Sequence, residues 1–168
     1  MFNAFQPVSR KFVGLLTAAA LSSPMAHAAT ETADFDVQLV IEGACTITAS
    51  LLDFGTNSGS IDANIDQDGA LAVNCTNGTD YTIALDDGDG LLATTAARKM
   101  THPDGSTVDY TLYQDATRTT LWGSGANAYS GTGTGSEQSI PVHGRVPAGQ
   151  SNVTVGTYSD NIVATIEF

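Results

Sequence analysis

Ten residues near the start of the chain indicate its fold class: Ala33-Asp34-Phe35-Asp36-Val37-Gln38-Leu39-Val40-Ile41-Glu42. Because successive side chains of a β-strand point to opposite faces, one face of this stretch is apolar and the other is largely polar. The pattern predicts an amphipathic strand with one buried face. The apolar face carries Phe35, Val37, Leu39 and Ile41. Periodicity alone leaves open whether the strand completes its own domain or is offered to another molecule.

The same period of two recurs along the rest of the chain in short segments, which are separated by Gly, Asn, Asp, Ser and Thr. Almost nothing has a helical period, so we expect an all-β fold, an antiparallel β-sandwich. Glycine and small polar residues dominate 124–135, which we interpret as a flexible loop. The predicted strands are 35–41, 45–49, 71–74, 81–85, 110–114, 139–146 and 161–168, with weaker patterns at 51–54 and 99–101.

Residues 1–28 have the features of a secretory signal peptide. Arg10 and Lys11 precede an apolar run, and Ala26-His27-Ala28 places small residues at the cleavage positions. The run is shorter than the roughly 20 residues that a membrane-spanning helix needs. We therefore expect export with cleavage after Ala28, which leaves a single soluble domain.

The chain is acidic, with a formal net charge of −12. Beyond residue 28 its strong cations are only Arg98, Lys99, Arg118 and Arg145. Such a surface repels nucleic acid and anionic lipid. We expect neither nucleic acid nor insertion into a membrane.

Cys45 and Cys75 are the two cysteines of the chain. An even pair in a chain bound for an oxidising compartment predicts one disulfide. In the loop-entropy account such a bond stabilises the folded state by about 3 to 4 kcal/mol.

The sequence offers little for catalysis or for metal binding. Downstream of residue 28 the histidines are His102 and His143, and no serine stands in a GxSxG motif, so we do not expect an enzyme. Residues 64–69 resemble the start of a calcium loop, but the twelfth position is Cys75 where that loop needs Glu. We expect no metal and no cofactor.

Four stretches together resemble one known family. In chain order they are Gly43-Ala44-Cys45-Thr46, Leu52-Asp53-Phe54-Gly55, and the longer segments 110–123 and 156–168. They resemble the spore coat protein U domain, the fold of major subunits in archaic chaperone-usher pili. The resemblance implies an immunoglobulin-like sandwich that is incomplete, because its last strand is missing and a hydrophobic groove stays open. It divides the exported chain into an N-terminal donor strand extension, 29–42, and a pilin domain, 43–168.

The resemblance also implies a way of working. A periplasmic chaperone first fills the groove, and at an outer-membrane usher the N-terminal strand of an identical or related pilin subunit replaces it. Phe35, Val37, Leu39 and Ile41 then plug the neighbour's groove, and Phe168 is a contact of the chaperone. Only Gly43 and Ala44 separate the strand from Cys45, so self-insertion looks strained. The expected product is a surface fibre, a fimbrium for adhesion and biofilm formation.

Two alternatives stay open at this point. One is a non-polymeric secreted coat protein of the same fold. The other is a carbohydrate- or surface-binding module, in which Trp122, Tyr113 and Tyr129 would form an aromatic platform. We assign Trp122 mainly to packing.

Overall fold

The computed structural model describes residues 28–168. The signal peptide predicted for 1–28 lies, up to His27, outside the described residues. The chain divides into two compact units, Met1–Leu39 and Val40–Phe168. Within the first unit the described residues, 28–39, contain no helix or strand.

The second unit is built from β-strands. Alternation of apolar with polar side chains along most of them allows each strand to bury one face. The strands are β1 (Cys45–Ala49), β2 (Ile65–Cys75), β3 (Asp80–Leu85), β4 (Arg98–Thr101), β5 (Thr107–Tyr113), β6 (Tyr129–Thr132), β7 (Glu137–Val146) and β8 (Ala164–Glu167).

These strands form two antiparallel sheets. The larger sheet has the order β1-β2-β7-β5-β4, and the smaller has the order β6-β3-β8. The sequence prediction of an all-β antiparallel fold with two sheets is confirmed. The turn that links β2 to β3 joins the two sheets, since β2 lies in one and β3 in the other.

The core lies between the sheets and is supplied by alternate residues of the inner strands. Trp122 is fully buried within it, as the packing role predicted for this residue requires. The other buried apolar residues of the core are Leu71, Val73, Cys75, Tyr81, Ile83, Leu85, Val108, Tyr110, Leu112, Ile140, Val142 and Val146.

The predicted disulfide between Cys45 and Cys75 is present. The two cysteines are direct partners in the pairing of β1 with β2. The bond therefore crosslinks the first residue of β1 to the last residue of β2.

The prediction of a flexible loop at 124–135 is wrong. The segment holds a short 3-10 helix, Gly125–Asn127, and strand β6. Gly131 of β6 pairs with Tyr81, and a side chain at Gly131 would meet the Tyr81 ring at 2.6 Å. The glycine content that suggested mobility therefore includes a site of close packing.

Two other segments that were predicted as strands carry no strand. Residues 51–54 form no β-pairing with any other described residues, although Leu52 and Phe54 pack against the core. Residues 35–41 are also outside any strand. Conversely, β2 begins six residues before the predicted 71–74 segment, because its polar first half pairs with β7.

Candidate functional site: an open edge between β1 and β8

One side of the sandwich is joined by hydrogen bonds that run through Trp122. Its backbone N–H donates to the carbonyl of Leu112 in the larger sheet at 2.9 Å. The next residue, Gly123, accepts a bond of 3.1 Å from the N–H of Leu85 at the end of β3. The Trp122 indole N–H also donates to Ile83 at 2.9 Å. This side of the core is closed by backbone as well as by side chains.

Arg98 strengthens the same side. Its side chain is fully buried and donates to the carbonyl oxygens of Asp86, Thr95 and Trp122, at 2.9, 3.1 and 2.8 Å. Burial lowers the pKa of this guanidinium, and the nearby acidic residues oppose that effect. Arg98 thus ties three separate segments together through neutral acceptors.

The opposite side, between β1 and β8, has no such connection. Among the strands that the structure describes, β1 pairs with β2 only and β8 pairs with β3 only. Within residues 28–168 no hydrogen bond joins β1 to β8, although Cα atoms of the two strands approach within 8 Å. Each strand therefore presents a row of backbone groups without a partner strand, the kind of edge that pairs readily with another strand.

The core is incompletely covered at this edge. Ile47 of β1 is only half-buried, whereas its cross-strand partner Val73 is fully buried. In the same way Ile166 of β8 is half-buried beside the fully buried Ile83. We call this edge the β1/β8 groove and define it by the side chains that pack against the core, Cys45, Ile47, Ala164 and Ile166.

A further strand could enter the β1/β8 groove only if the groove widened. Paired strands lie about 4.7 to 4.9 Å apart, so one strand seated between β1 and β8 needs roughly 9.5 Å between them. The approach of their Cα atoms within 8 Å is closer than that. The groove in this structure is therefore narrowed along part of its length, and an inserted strand must separate β1 from β8 there.

The predicted plug residues are strongly exposed. Phe35, Val37, Leu39 and Ile41 are 85%, 86%, 83% and 76% exposed. Large apolar side chains at such exposure are costly in water, and four in alternate positions make a contiguous apolar stripe on an extended chain. Their donation to a neighbour stays a prediction. Phe168, the predicted chaperone contact, is 62% exposed at the end of the β8 row.

Sequence reasoning did not identify β1 as a wall of the groove. The alternation Cys45-Thr46-Ile47-Thr48 correctly predicted strand β1, and Ala164, Ile166 and Phe168 alternate in the same way. That signal separates inward from outward side chains. It does not tell which strands are at an edge, because edge position depends on pairing between distant segments.

The aromatic platform is not supported by the structure. Trp122 is 0% exposed and packs against Tyr129, with ring centroids 5.4 Å apart. A ligand would have to displace core packing in order to reach the indole. The carbohydrate-binding alternative therefore loses its principal residue.

The calcium-like segment has another role. Its acidic residues Asp66 and Asp68 lie on β2 and pair with Arg145 and Arg118, at 2.7 and 2.8 Å. The hydrogen bond from Arg145 is the main cause of a lowered Asp66 pKa. In the part of the chain that the structure describes, no three His, Cys, Asp or Glu side chains are grouped to hold a metal ion. No helix among the described residues is long and apolar enough to span a membrane.

Comparisons with known protein families, curated proteins and solved structures each give a match. The family described as Spore Coat Protein U domain matches residues 31–165. "Protein U" of Myxococcus xanthus is 35% identical over 177 residues, which cover 93% of this chain and 96% of that protein. The third match is a solved structure, the CsuC–CsuE chaperone–tip adhesion subunit pre-assembly complex from the archaic chaperone-usher Csu pili of Acinetobacter baumannii.

The match to the solved structure concerns the fold. The TM-score is 0.56 at 20% sequence identity, with coverage of 76% of this chain and 40% of the solved chain. The immunoglobulin-like sandwich predicted from the sequence is thereby confirmed for the two sheets.

Proposed function

This chain belongs to the Spore Coat Protein U domain family, and on that premise we propose that it is a structural subunit of a chaperone-usher type pilus. In this proposal residues 29–42 form a donor strand that fills the β1/β8 groove of the next subunit. The observation that carries it is the contrast between the two sides of the sandwich, one closed by the Trp122 segment and one with an unpaired, half-covered apolar edge.

Donor and groove are chemically complementary. The groove needs a strand that supplies backbone hydrogen bonds to both edges and apolar side chains to one face. The segment 33–42 carries apolar residues at alternate positions and polar residues between most of them. Its apolar side chains are already in water, so transfer into a groove removes exposed surface on both partners.

The expected strength is considerable. Four buried apolar side chains at roughly 1.5 to 3 kcal/mol each give about 6 to 12 kcal/mol before the cost of ordering the segment. Backbone pairing along two edges adds to this. A joint of this kind dissociates slowly and is suited to a fibre.

The geometry of exchange makes the assembly open-ended. Each subunit gives a strand at one place and receives a strand at another, so the contact is head to tail. A head-to-tail contact that does not close into a ring extends into a filament. The partners are therefore copies of this chain or related subunits.

Before assembly the groove needs another occupant. An exposed strand edge over an apolar trough is prone to aggregation. We assign that protection to a periplasmic chaperone, with delivery to an outer-membrane usher, and we assign Phe168 to the chaperone contact because it extends the β8 row at 62% exposure. Export to the cell surface and a role in adhesion and biofilm formation follow from the same proposal.

The first experiment tests the donor. Leu39→Asp places a charge on the apolar face, and the matched control Gln38→Asp places the same charge on the adjacent, polar face. Fibres are counted by electron microscopy after co-expression with a chaperone and an usher. We expect fibres from the wild type and from Gln38→Asp but none from Leu39→Asp. Normal fibres from Leu39→Asp would show that the donor assignment is wrong.

The second experiment tests the groove. Ile166→Asp charges the β8 wall, and Thr165→Asp is its control because Thr165 is exposed on the other face of the same strand. The Ile166→Asp chain can give a strand but not receive one, and the Leu39→Asp chain can receive but not give. Mixing the two should yield complexes of two chains and nothing longer, as measured by mass photometry. A stable monomer with no complex in the mixture would favour the non-polymeric coat protein.

A further inference from the structure

The residues just before β1 are tied to the start of the β2–β3 turn. The backbone N–H of Ala44 donates to the hydroxyl of Thr76 at 3.2 Å, and its carbonyl accepts from the Thr76 N–H at 2.9 Å. A side chain at Gly43 would meet the Thr79 hydroxyl oxygen at 2.9 Å. One residue further on, Cys45 is crosslinked to Cys75. The junction between the N-terminal segment and the domain is therefore fixed at several consecutive residues.

The strand that follows this junction is mechanically weak by itself. Strand β1 is five residues long, and β2 is its one partner strand in the described part of the chain. A pull on its first residue would break its ladder one pair at a time, and each backbone hydrogen bond contributes only about 0.5 to 1.5 kcal/mol. Edge strands that are pulled from one end should peel in this way.

The position of the disulfide prevents that peeling. Cys45–Cys75 is the first of the five residue pairs of β1 with β2, which end at Ala49–Leu71. A crosslink at the first pair passes the force directly to β2, before any pair of β1 is loaded. Because Cys75 is the last residue of β2 and the turn to β3 follows it, the force arrives where the two sheets are joined.

We propose that Cys45–Cys75 is a tension clamp, which transfers a pull on the N-terminal segment to the junction of both sheets and keeps β1 in place. The inference rests on the proposed function, since tension on this segment arises where the segment is held by a neighbour. In a fibre the clamp also keeps the preceding neighbour attached. Strand β1 is a wall of the groove, and loss of β1 would release the strand that the neighbour has inserted.

Position is the property that separates this role from ordinary stabilisation. In the loop-entropy account a crosslink constrains the unfolded chain according to the length of the loop it closes, wherever it sits in the strand. A disulfide moved to the other end of β1 would retain that effect. The moved disulfide would not shield the first residue pairs of β1 from a pull on the N-terminal segment.

The test uses single full-length chains in optical tweezers. One handle is attached at Thr32, near the start of the N-terminal segment, and the other at Val155, which is 98% exposed. Three chains are compared: the wild type, Cys45→Ala/Cys75→Ala, and that double variant with Thr48→Cys/Ala72→Cys, which moves the crosslink to another direct pair of β1 with β2.

We expect no extension of the wild type before its main unfolding event. The chain without a crosslink should first lose β1 at lower force, which frees about 15 residues and lengthens the tether by roughly 50 Å. The chain with the moved crosslink should give a first step of only about 10 Å, as the residues before position 48 come free. Reduction of the wild type by a phosphine in the same instrument should reproduce the long first step without any substitution.

Two results would overturn the clamp. One is a crosslink-free or reduced chain that unfolds in the same steps as the wild type, and the other is a moved crosslink that protects as well as the native one. Neither depends on fibre formation. Fibre counts with the donor variants decide the proposed function separately, so a failure of one idea is recognised apart from a failure of the other.

Discussion

The indole nitrogen of Trp122 lies 2.9 Å from the carbonyl oxygen of Ile83, and the bond between them is wholly buried. Ile83 is also the direct partner of Ile166 on β8, at the open edge. A single residue of β3 therefore connects the closed side of the sandwich with the groove on the other side. Changes at Trp122 test how firmly Ile83, the partner of Ile166, is held in place.

Trp122→Phe should destabilise the domain by about 1 to 3 kcal/mol, because the carbonyl of Ile83 loses its donor and a cavity remains. Urea unfolding followed by circular dichroism measures the loss. Tyr113→Phe, at a half-buried aromatic residue of β5, is the control and should change the midpoint much less. Equal midpoints for the wild type and Trp122→Phe would contradict this role of the indole.

Arg98→Ala should cost about 3 kcal/mol or more, since three carbonyl groups lose a charged donor in a buried site. Arg98→Lys should recover only part of this, because an ammonium group cannot reproduce the planar fork that reaches Asp86, Thr95 and Trp122. Thermal unfolding of both variants and of the wild type gives their order of stability. If Arg98→Lys matched the wild type, charge rather than fork geometry would be what the site requires.

Gly131→Ala should destabilise the smaller sheet by about 1 to 3 kcal/mol through overpacking. A Cβ there would lie 2.6 Å from the Tyr81 ring. Ser130→Ala, one residue earlier on β6 and exposed, serves as the control. Hydrogen exchange of the β3 and β6 amides should rise in Gly131→Ala alone, and unchanged exchange would mean that Tyr81 can move aside.

The domain should lose stability in acid. Hydrogen bonds from the Thr117 hydroxyl and from the N–H groups of Thr120 and Thr119 lower the pKa of Asp115 below its ordinary 3.8. A carboxyl group with a lowered folded pKa stabilises above its unfolded pKa, and the effect disappears as the pH falls through the folded pKa. Thermal midpoints should therefore drop as the pH falls below about 4. Asp115→Asn should be less stable than the wild type at neutral pH, with a gap that narrows in acid; a constant gap would contradict the linkage.

Local alternation was enough to predict most strands, since Cys45–Ala49 was predicted to the residue. Alternation failed to predict strands in which apolar and polar side chains do not alternate in the expected way. The first half of β2 reads Ile65-Asp66-Gln67-Asp68-Gly69, and its two aspartates are partners of distant arginines. Strand β6 was not predicted because it contains glycine, which occurs both in loops and in closely packed strands.

The groove itself could not be predicted from local sequence patterns. Its walls, β1 and β8, are separated by more than a hundred residues. Only the sheet order reveals that neither strand has a second partner within residues 28–168. The resemblance to a family implied an open groove, and Phe35, Val37, Leu39 and Ile41 were predicted to fill one. The wall residue Ile47 could be named only from three-dimensional pairing.

The few cations of the chain also bear on how long a fibre would survive outside the cell. Within residues 28–168 each arginine and lysine is engaged: Arg98 with buried carbonyl groups, and Lys99, Arg118 and Arg145 with aspartates. The exposed segment 28–44 contains no lysine or arginine at all. A digestive protease that cleaves after basic residues would thus find no site in the segment that we propose to connect subunits. In the domain it would find only basic side chains that are already engaged. Enzymes that cut beside aromatic or large aliphatic residues would meet Phe35 and Leu39 in the free subunit but not once those side chains were buried in a neighbour.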